Sequence, residues 1–342
     1  MSPAASKFLM VSGLTLTILA VPTSAFAGGG YEHDGHLRGS SKGGSGNGKI
    51  TVQTRIRTTT NGNPSTAKTG SLSSTDSNWT PPACWYEPAF SPKEIQATVK
   101  SWRKVGIFGI GDIVGGLLDS YYKDGKYKNY NLDQQGKGMF WAAAINPKRK
   151  DDPEANSCDK PPFWVPNNTT PHEPLAVSPK ILAEYAYDEL PVPETQIEAA
   201  PAGKSTVNLP TWVWLDKARF KPVSVTASLP GTGLSATTTA TPVALHLDPG
   251  TDDAEVYPAS GDCPLNADKS IGTPYTKGSA DRIPSCGVMY ERSSGGGTYP
   301  LRATLTWKIA WTSTTGEGDS LPNGTYGDTK DVTVQEIQSV NR

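Results

Sequence analysis

The run Thr298–Thr312, TYPLRATLTWKIAWT, constrains the fold more than any other stretch. Leu301, Ala303, Leu305, Trp307, Ile309 and Trp311 take every second position, and Arg302, Thr304, Thr306, Lys308 and Thr312 take most of those between. Successive side chains of a strand point to opposite faces, so Tyr299–Thr312 presents one wall of large apolar groups and one wetted wall. The signal is architectural and carries no chemistry of its own.

Weaker copies of the pattern surround it. Val223, Val225, Ala227 and Leu229 alternate with Ser224, Thr226 and Ser228; Val243, Leu245 and Leu247 alternate again, as do Val332 and Val334. Within Val207–Asp216, the residues Leu209, Trp212, Val213, Trp214 and Leu215 are apolar on both faces, which suits a central position or a domain junction. With 35 glycines and 29 prolines, short strands joined by turns are favoured over long helices. Residues 204–342 are therefore expected to form an all-β antiparallel sandwich of roughly six or seven strands, with Tyr299–Thr312 long and central.

Upstream, residues 83–203 read as a small α+β domain. Ser91-Pro92-Lys93-Glu94 has the form of a capping box with proline at the first helical position, and Ile95, Thr98, Val99 and Trp102 follow on one face. A second helix opens at Ser178-Pro179, and Gly138–Ile145 reads as a buried strand. Gly106–Leu118 contains Gly109-x-Gly111 but neither phosphate-binding glycine pattern, so it is expected to be a half-buried loop or short helix. The domain boundary is placed at Pro201–Lys204.

Residues 1–27 have the form of a secretory signal: Lys7, an apolar run Phe8–Val21, and Ala25-Phe26-Ala27 at the cleavage position. Residues 28–82 are too rich in Gly, Ser and Thr to repay ordering, although Lys49–Arg57 has strand-like residues able to join a later sheet edge. A secreted, extracellular or envelope-associated protein follows, with no stable membrane span after cleavage. A formal net charge of −1 supplies no field to attract nucleic acid. Export makes pairing the default for cysteines, and among three connectivities Cys84–Cys158 and Cys263–Cys286 are preferred because each closes within one expected domain.

A resemblance emerges in the last third. Asn208-Leu209-Pro210-Thr211-Trp212-Val213-Trp214-Leu215-Asp216, Pro222-Val223-Ser224-Val225-Thr226-Ala227 and Cys286-Gly287-Val288-Met289-Tyr290-Glu291-Arg292-Ser293-Ser294 resemble a family of secreted actinobacterial proteins of unknown role. The likeness extends upstream to Pro191 and Cys84-Trp85-Tyr86-Glu87-Pro88. The resemblance implies a final PKD-like, immunoglobulin-like sandwich and a secreted setting, and it brings no activity. PKD domains usually carry an aromatic-x-Phe-Gly-Asp-Gly turn where Leu245-His246-Leu247-Asp248-Pro249-Gly250 stands here.

Reactive constellations are sparse. His33 and His36 lie in the tail, His172 in a Pro-rich loop, and His246 interrupts an apolar strand and is expected on its wetted face; no catalytic residue is assigned. Asp248, Asp252, Asp253 and Glu255 surround a turn and are candidate calcium ligands, calcium being the one cofactor considered. Trp85, Tyr86, Phe163 and Trp164 are candidate rings for stacking on glycan. The expected role is a non-enzymatic interaction or structural module for a cell-surface protein or glycan. The alternative is a secreted hydrolase of cell-wall polymer with its cleft in residues 84–200.

Overall fold

A computed structural model describes residues 51–61, 69–104, 110–215 and 220–337. The expected signal sequence, the Gly/Ser run with His33 and His36, and Gly109 lie outside those residues. Strand outweighs helix, and most pairing is antiparallel.

In chain order, β1 (Thr51–Gln53), β2 (Arg57–Asn61), β3 (Thr69–Gly70) and β4 (Ser73–Ser74) come first. β5 (Cys84–Phe90), α1 (Pro92–Lys104) and α2 (Ile110–Tyr122) follow, then β6 (Gly138–Ile145), β7 (Phe163–Pro166) and α3 (Pro179–Asp188). Next are β8 (Val192–Pro193), β9 (Ile197–Ala200), β10 (Lys204–Thr206), β11 (Pro210–Leu215), β12 (Val223–Leu229) and β13 (Leu234–Asp248). The last third holds β14 (Ala254–Tyr257), β15 (Asp262–Pro264), β16 (Ile271–Gly272), β17 (Gly287–Tyr290), β18 (Tyr299–Ser313) and β19 (Gly318–Gln335).

β18 buries Leu301, Ala303, Leu305, Trp307, Ile309 and Trp311 and exposes Arg302, Lys308, Ala310 and Thr312, as the alternation requires. It lies between β13 and β19 in an eight-stranded sheet ordered β10-β19-β18-β13-β12-β2, with β15 added on β13 and β4 on β19. A one-residue slip moves a strand's apolar set to the other face. β13 runs too long to stay in phase with β18 and corrects itself with an irregularity between Pro242 and Ala244. Before it Ala236, Thr238 and Ala240 face inward; after it Leu245 and Leu247 do. The extra residue thus keeps one apolar wall continuous across both halves of the strand.

Two elements cover that wall. The first is α3, capped by Ser178, whose hydroxyl accepts from the Ile181 N–H at 3.2 Å. It packs on β12, β13 and β18, and Ile181, Leu182, Tyr185 and Ala186 along it are buried. Thr238, buried in the wall, donates its hydroxyl to the Ala183 carbonyl at 2.8 Å and so is itself satisfied, whereas the Trp307 indole N–H in the same wall meets no acceptor among the described residues. The second is a five-stranded sheet ordered β14-β17-β11-β16, with β9 also on β11. Val213, Leu215, Val288 and Tyr290 point inward from it, and Tyr290 stacks on Tyr299 at 5.4 Å.

These pairings differ from the expected division of the chain. β9 completes the smaller sheet and β2 and β4 extend the larger, so both draw on residues that precede Lys204. One buried cluster runs from Val52 to Val334 across the expected boundary. The stretch expected to be flexible, residues 28–82, contributes β1–β4 from its described part. Strand-like Thr51–Gln53 and Arg57–Asn61 find sheet edges, which offset the entropy that composition alone suggested they would keep.

A third sheet joins β5, β6 and β7 antiparallel, with β1 parallel to β6. α1 begins with the expected capping box: the Ser91 N–H donates to Glu94 Oε2 at 2.6 Å and the Glu94 N–H to Ser91 Oγ at 3.3 Å. Ile110 onward is helix, where a loop or short helix was expected.

Residues 54–56 cross from this third sheet to the eight-stranded one, and Glu87 on β5 holds the crossing. Its carboxylate has no exposed surface. Oε2 accepts from Thr54 Oγ1 at 2.9 Å and Trp85 Nε1 at 2.7 Å, and Oε1 from the Arg55 N–H at 2.5 Å. Burial lifts the Glu87 pKa above the ordinary value, and the three donors draw it partly back. The folded state therefore holds the proton more tightly than the unfolded chain does. Its contribution is full below the ordinary glutamate pKa and declines as pH rises from there toward the folded value. Chemical-denaturation curves should show wild type losing more stability than Glu87→Gln from about pH 4 to neutrality. Parallel curves would contradict this. Glu87→Ala, which strands three donors, should cost about 3 kcal/mol.

Candidate functional site

Both expected cysteine pairs are disulfides. Cys84–Cys158, with Cα atoms 6.0 Å apart, ties the start of β5 to the segment after the Pro153–Asn156 turn. Cys263–Cys286, with Cα atoms 5.4 Å apart, joins β15 of the larger sheet to the residue preceding β17 of the smaller. The second bridge is therefore a covalent link between the two facing sheets.

Of the aromatic residues considered for stacking on glycan, two are buried and two are half-buried. Trp85 is fully buried, edge-on to Tyr185 of α3 at 5.4 Å, and Tyr86 is buried edge-on to Phe163 at 5.4 Å. Because β5 is covered on both sides, its alternation separates two buried layers instead of a wet and a dry face. Phe163 and Trp164 are half-buried, and Trp164 packs against Phe140 at 5.2 Å.

The calcium candidates share a rim without converging. Asp248 Oδ1 accepts from the Gly250 N–H at 2.9 Å within its own turn, Asp253 pairs with Arg292 at 3.2 Å, and Glu255 accepts from the Tyr257 hydroxyl at 2.8 Å. Among the described residues, no three His, Cys, Asp or Glu side chains gather as a metal ion requires. An open groove of about 610 Å³ runs past Asp248 and Asp252 to His246 and Ser260. His246 is exposed, as expected, and its Nδ1 lies 2.8 Å from Asp262 Oδ1 on neighbouring β15.

The most distinctive surface is the outer face of the smaller sheet. Since Val213 and Leu215 enter the core, Trp212 and Trp214 project the other way. Register places Glu198 beside Trp214, and Pro210, Met289 and Glu255 in one row across β11, β17 and β14. The neighbouring row is Ala200, Trp212, Gly287 and Tyr257. Gly287 is required there: a Cβ would come within 2.7 Å of the Pro284 ring, which lies over it. Tyr275, on the same Thr273–Ser285 connection, sits edge-on to Trp212 at 6.0 Å. Leu209, Tyr275 and Ile283, 43%, 37% and 72% exposed, flank this face and are three of the five most exposed large apolar side chains among the described residues.

Apolar residues on both faces of Val207–Asp216 suit a central position or a domain junction; of them Val213 and Leu215 enter the core, and Trp212 and Trp214 lie on the outer face. The pairing with Met289 and Tyr257 that makes an outward aromatic surface depends on long-range register and has no local signature. Compared with known proteins, the chain matches no family model, no curated protein and no solved structure.

Proposed function

We propose that the protein is exported and acts by contact, without turnover, as an envelope or extracellular module for a cell-surface protein or glycan. The observation that carries this reading is the outward face of the smaller sheet, where Trp214, Tyr257, Tyr275 and Met289 are displayed together and no core element uses them. Large apolar side chains grouped at a surface mark contact sites. Two disulfides suit an oxidising compartment. Among the described residues no helix is long and apolar enough to cross a membrane.

We read the last third as a PKD-like, immunoglobulin-like sandwich. β18 between two antiparallel neighbours in one sheet, a second sheet facing it and a disulfide between the two support that reading. The resemblance of Asn208–Asp216 and Cys286–Ser294 to secreted actinobacterial proteins supports the setting.

The alternative is a cell-wall-polymer hydrolase using carboxylates of residues 84–200. Three of those carboxylates are engaged: Glu87 under three donors, Asp188 accepting from Asn146 Nδ2 at 3.0 Å, and Glu184 beside Lys180 at 4.0 Å. Purified protein incubated with labelled peptidoglycan and model esters should release nothing. Turnover that disappears in Glu184→Gln or Asp188→Asn would establish the hydrolase instead.

A further inference from the structure

The outer face of the smaller sheet has polar features as well as rings, and together they specify a kind of ligand. Trp212 is only 8% exposed, and its indole Nε1 is buried without an acceptor among the described residues. It lies outside the core cluster, with Tyr275 edge-on to it. A buried N–H that meets no acceptor is costly, and such groups in a folded protein call for a partner. On either side of the rings stand Glu198 and Glu255, both exposed and neither in an ion pair with Lys or Arg among the described residues. From β9 to β14 the face spans three strand spacings, about 14 Å.

A ligand matching these groups has flat apolar faces for the rings, hydroxyls that donate to carboxylates, and an oxygen that accepts from an indole. A sugar chain has all three. The two sheet carboxylates disfavour a polyanion. Lys277 and Arg282 belong to the Thr273–Ser285 connection, together with Asp281, and lie off the sheet itself.

We propose that this face binds an uncharged polysaccharide strand. Trp214 is the stacking platform. Tyr275 turns from the edge of Trp212 onto the sugar, which opens the Trp212 N–H to a ligand oxygen. Glu198 and Glu255 accept from sugar hydroxyls. The proposal rests on the contact-module reading and names its ligand.

Affinity electrophoresis of the secreted chain tests it, in native gels cast with dextran, laminarin, soluble mannan or hydroxyethylcellulose, with alginate as the polyanion. Retardation is expected in at least one neutral polymer and should persist at high salt. Trp214→Ala should weaken the apparent affinity about tenfold and Tyr275→Ala about threefold. Ile283→Ala, exposed beside the face but without a ring, should migrate as wild type. Thermal unfolding of each variant separates loss of the site from loss of the fold, and Tyr275, on an exposed connection, provides the safer test. Retardation by alginate alone that vanishes with salt would assign binding to the loop cations and overturn the proposal. Wild-type binding unchanged in both ring variants would overturn it too. Absence of retardation in every gel would remove the polysaccharide while leaving the contact reading in place. Release of soluble sugar from any polymer would instead sink the contact reading.

Discussion

Trp307→Asp should yield no folded protein, whereas Lys308→Asp should shift stability by less than about 1 kcal/mol. The two residues are adjacent in sequence and differ in which wall of β18 they occupy. Trp307 has no exposed surface and lies in the wall shared by α3 and the smaller sheet. Removing a buried indole alone costs about 3–5 kcal/mol, and an unpaired carboxylate left among Leu305, Ile309 and their neighbours adds several more. That sum reaches the whole stability of an ordinary domain, about 5–15 kcal/mol. Lys308 is exposed, so its replacement leaves the packing intact. Near-UV circular dichroism and thermal unfolding of the two variants provide the readout. Comparable losses in both would mean that the faces of the central strand are misassigned.

The second large effect is expected from Cys84 and Cys158. Opening a bridge between residues 74 apart returns about 4.5 kcal/mol of chain entropy to the unfolded state, against about 3.4 kcal/mol for the 23-residue separation of Cys263 and Cys286. Both bridges are buried, so each replacement also removes packed sulfur. Denaturant midpoints of the two double alanine variants should fall in that order, with the Cys84/Cys158 variant less stable. The reverse order would show that the inter-sheet bridge acts on the folded state, holding the two sheets together, more than on the unfolded chain.

What could be read in advance followed the range of the interactions. The alternation of β18, the capping box before α1, the serine cap before α3, and the buried run of β6 are local patterns, and each forms where the residues indicate. The misreadings came from partners far away in the chain. Lys49–Arg57 is strand-like in sequence, but that Thr51–Gln53 meets β6 and Arg57–Asn61 meets β12 is set by residues far along the chain. Glu87 resembles any charged residue until Thr54 and Arg55 close over it from more than thirty positions away. Trp85 and Tyr86 could be read either as core or as rings for a glycan, because a strand covered on both sides cannot be told from sequence from one covered on a single side. The same ambiguity hid Trp212 and Trp214, in the opposite sense.

The chain is expected to leave the cell and to be stapled by its two disulfides after it has done so. Mass spectrometry of the native protein recovered from culture medium and cell surface, digested without reduction, tests this most directly. It should find a chain starting near Gly28, with Cys84 linked to Cys158 and Cys263 to Cys286. A cytosolic protein that retains its first residues and has four reduced thiols would contradict it.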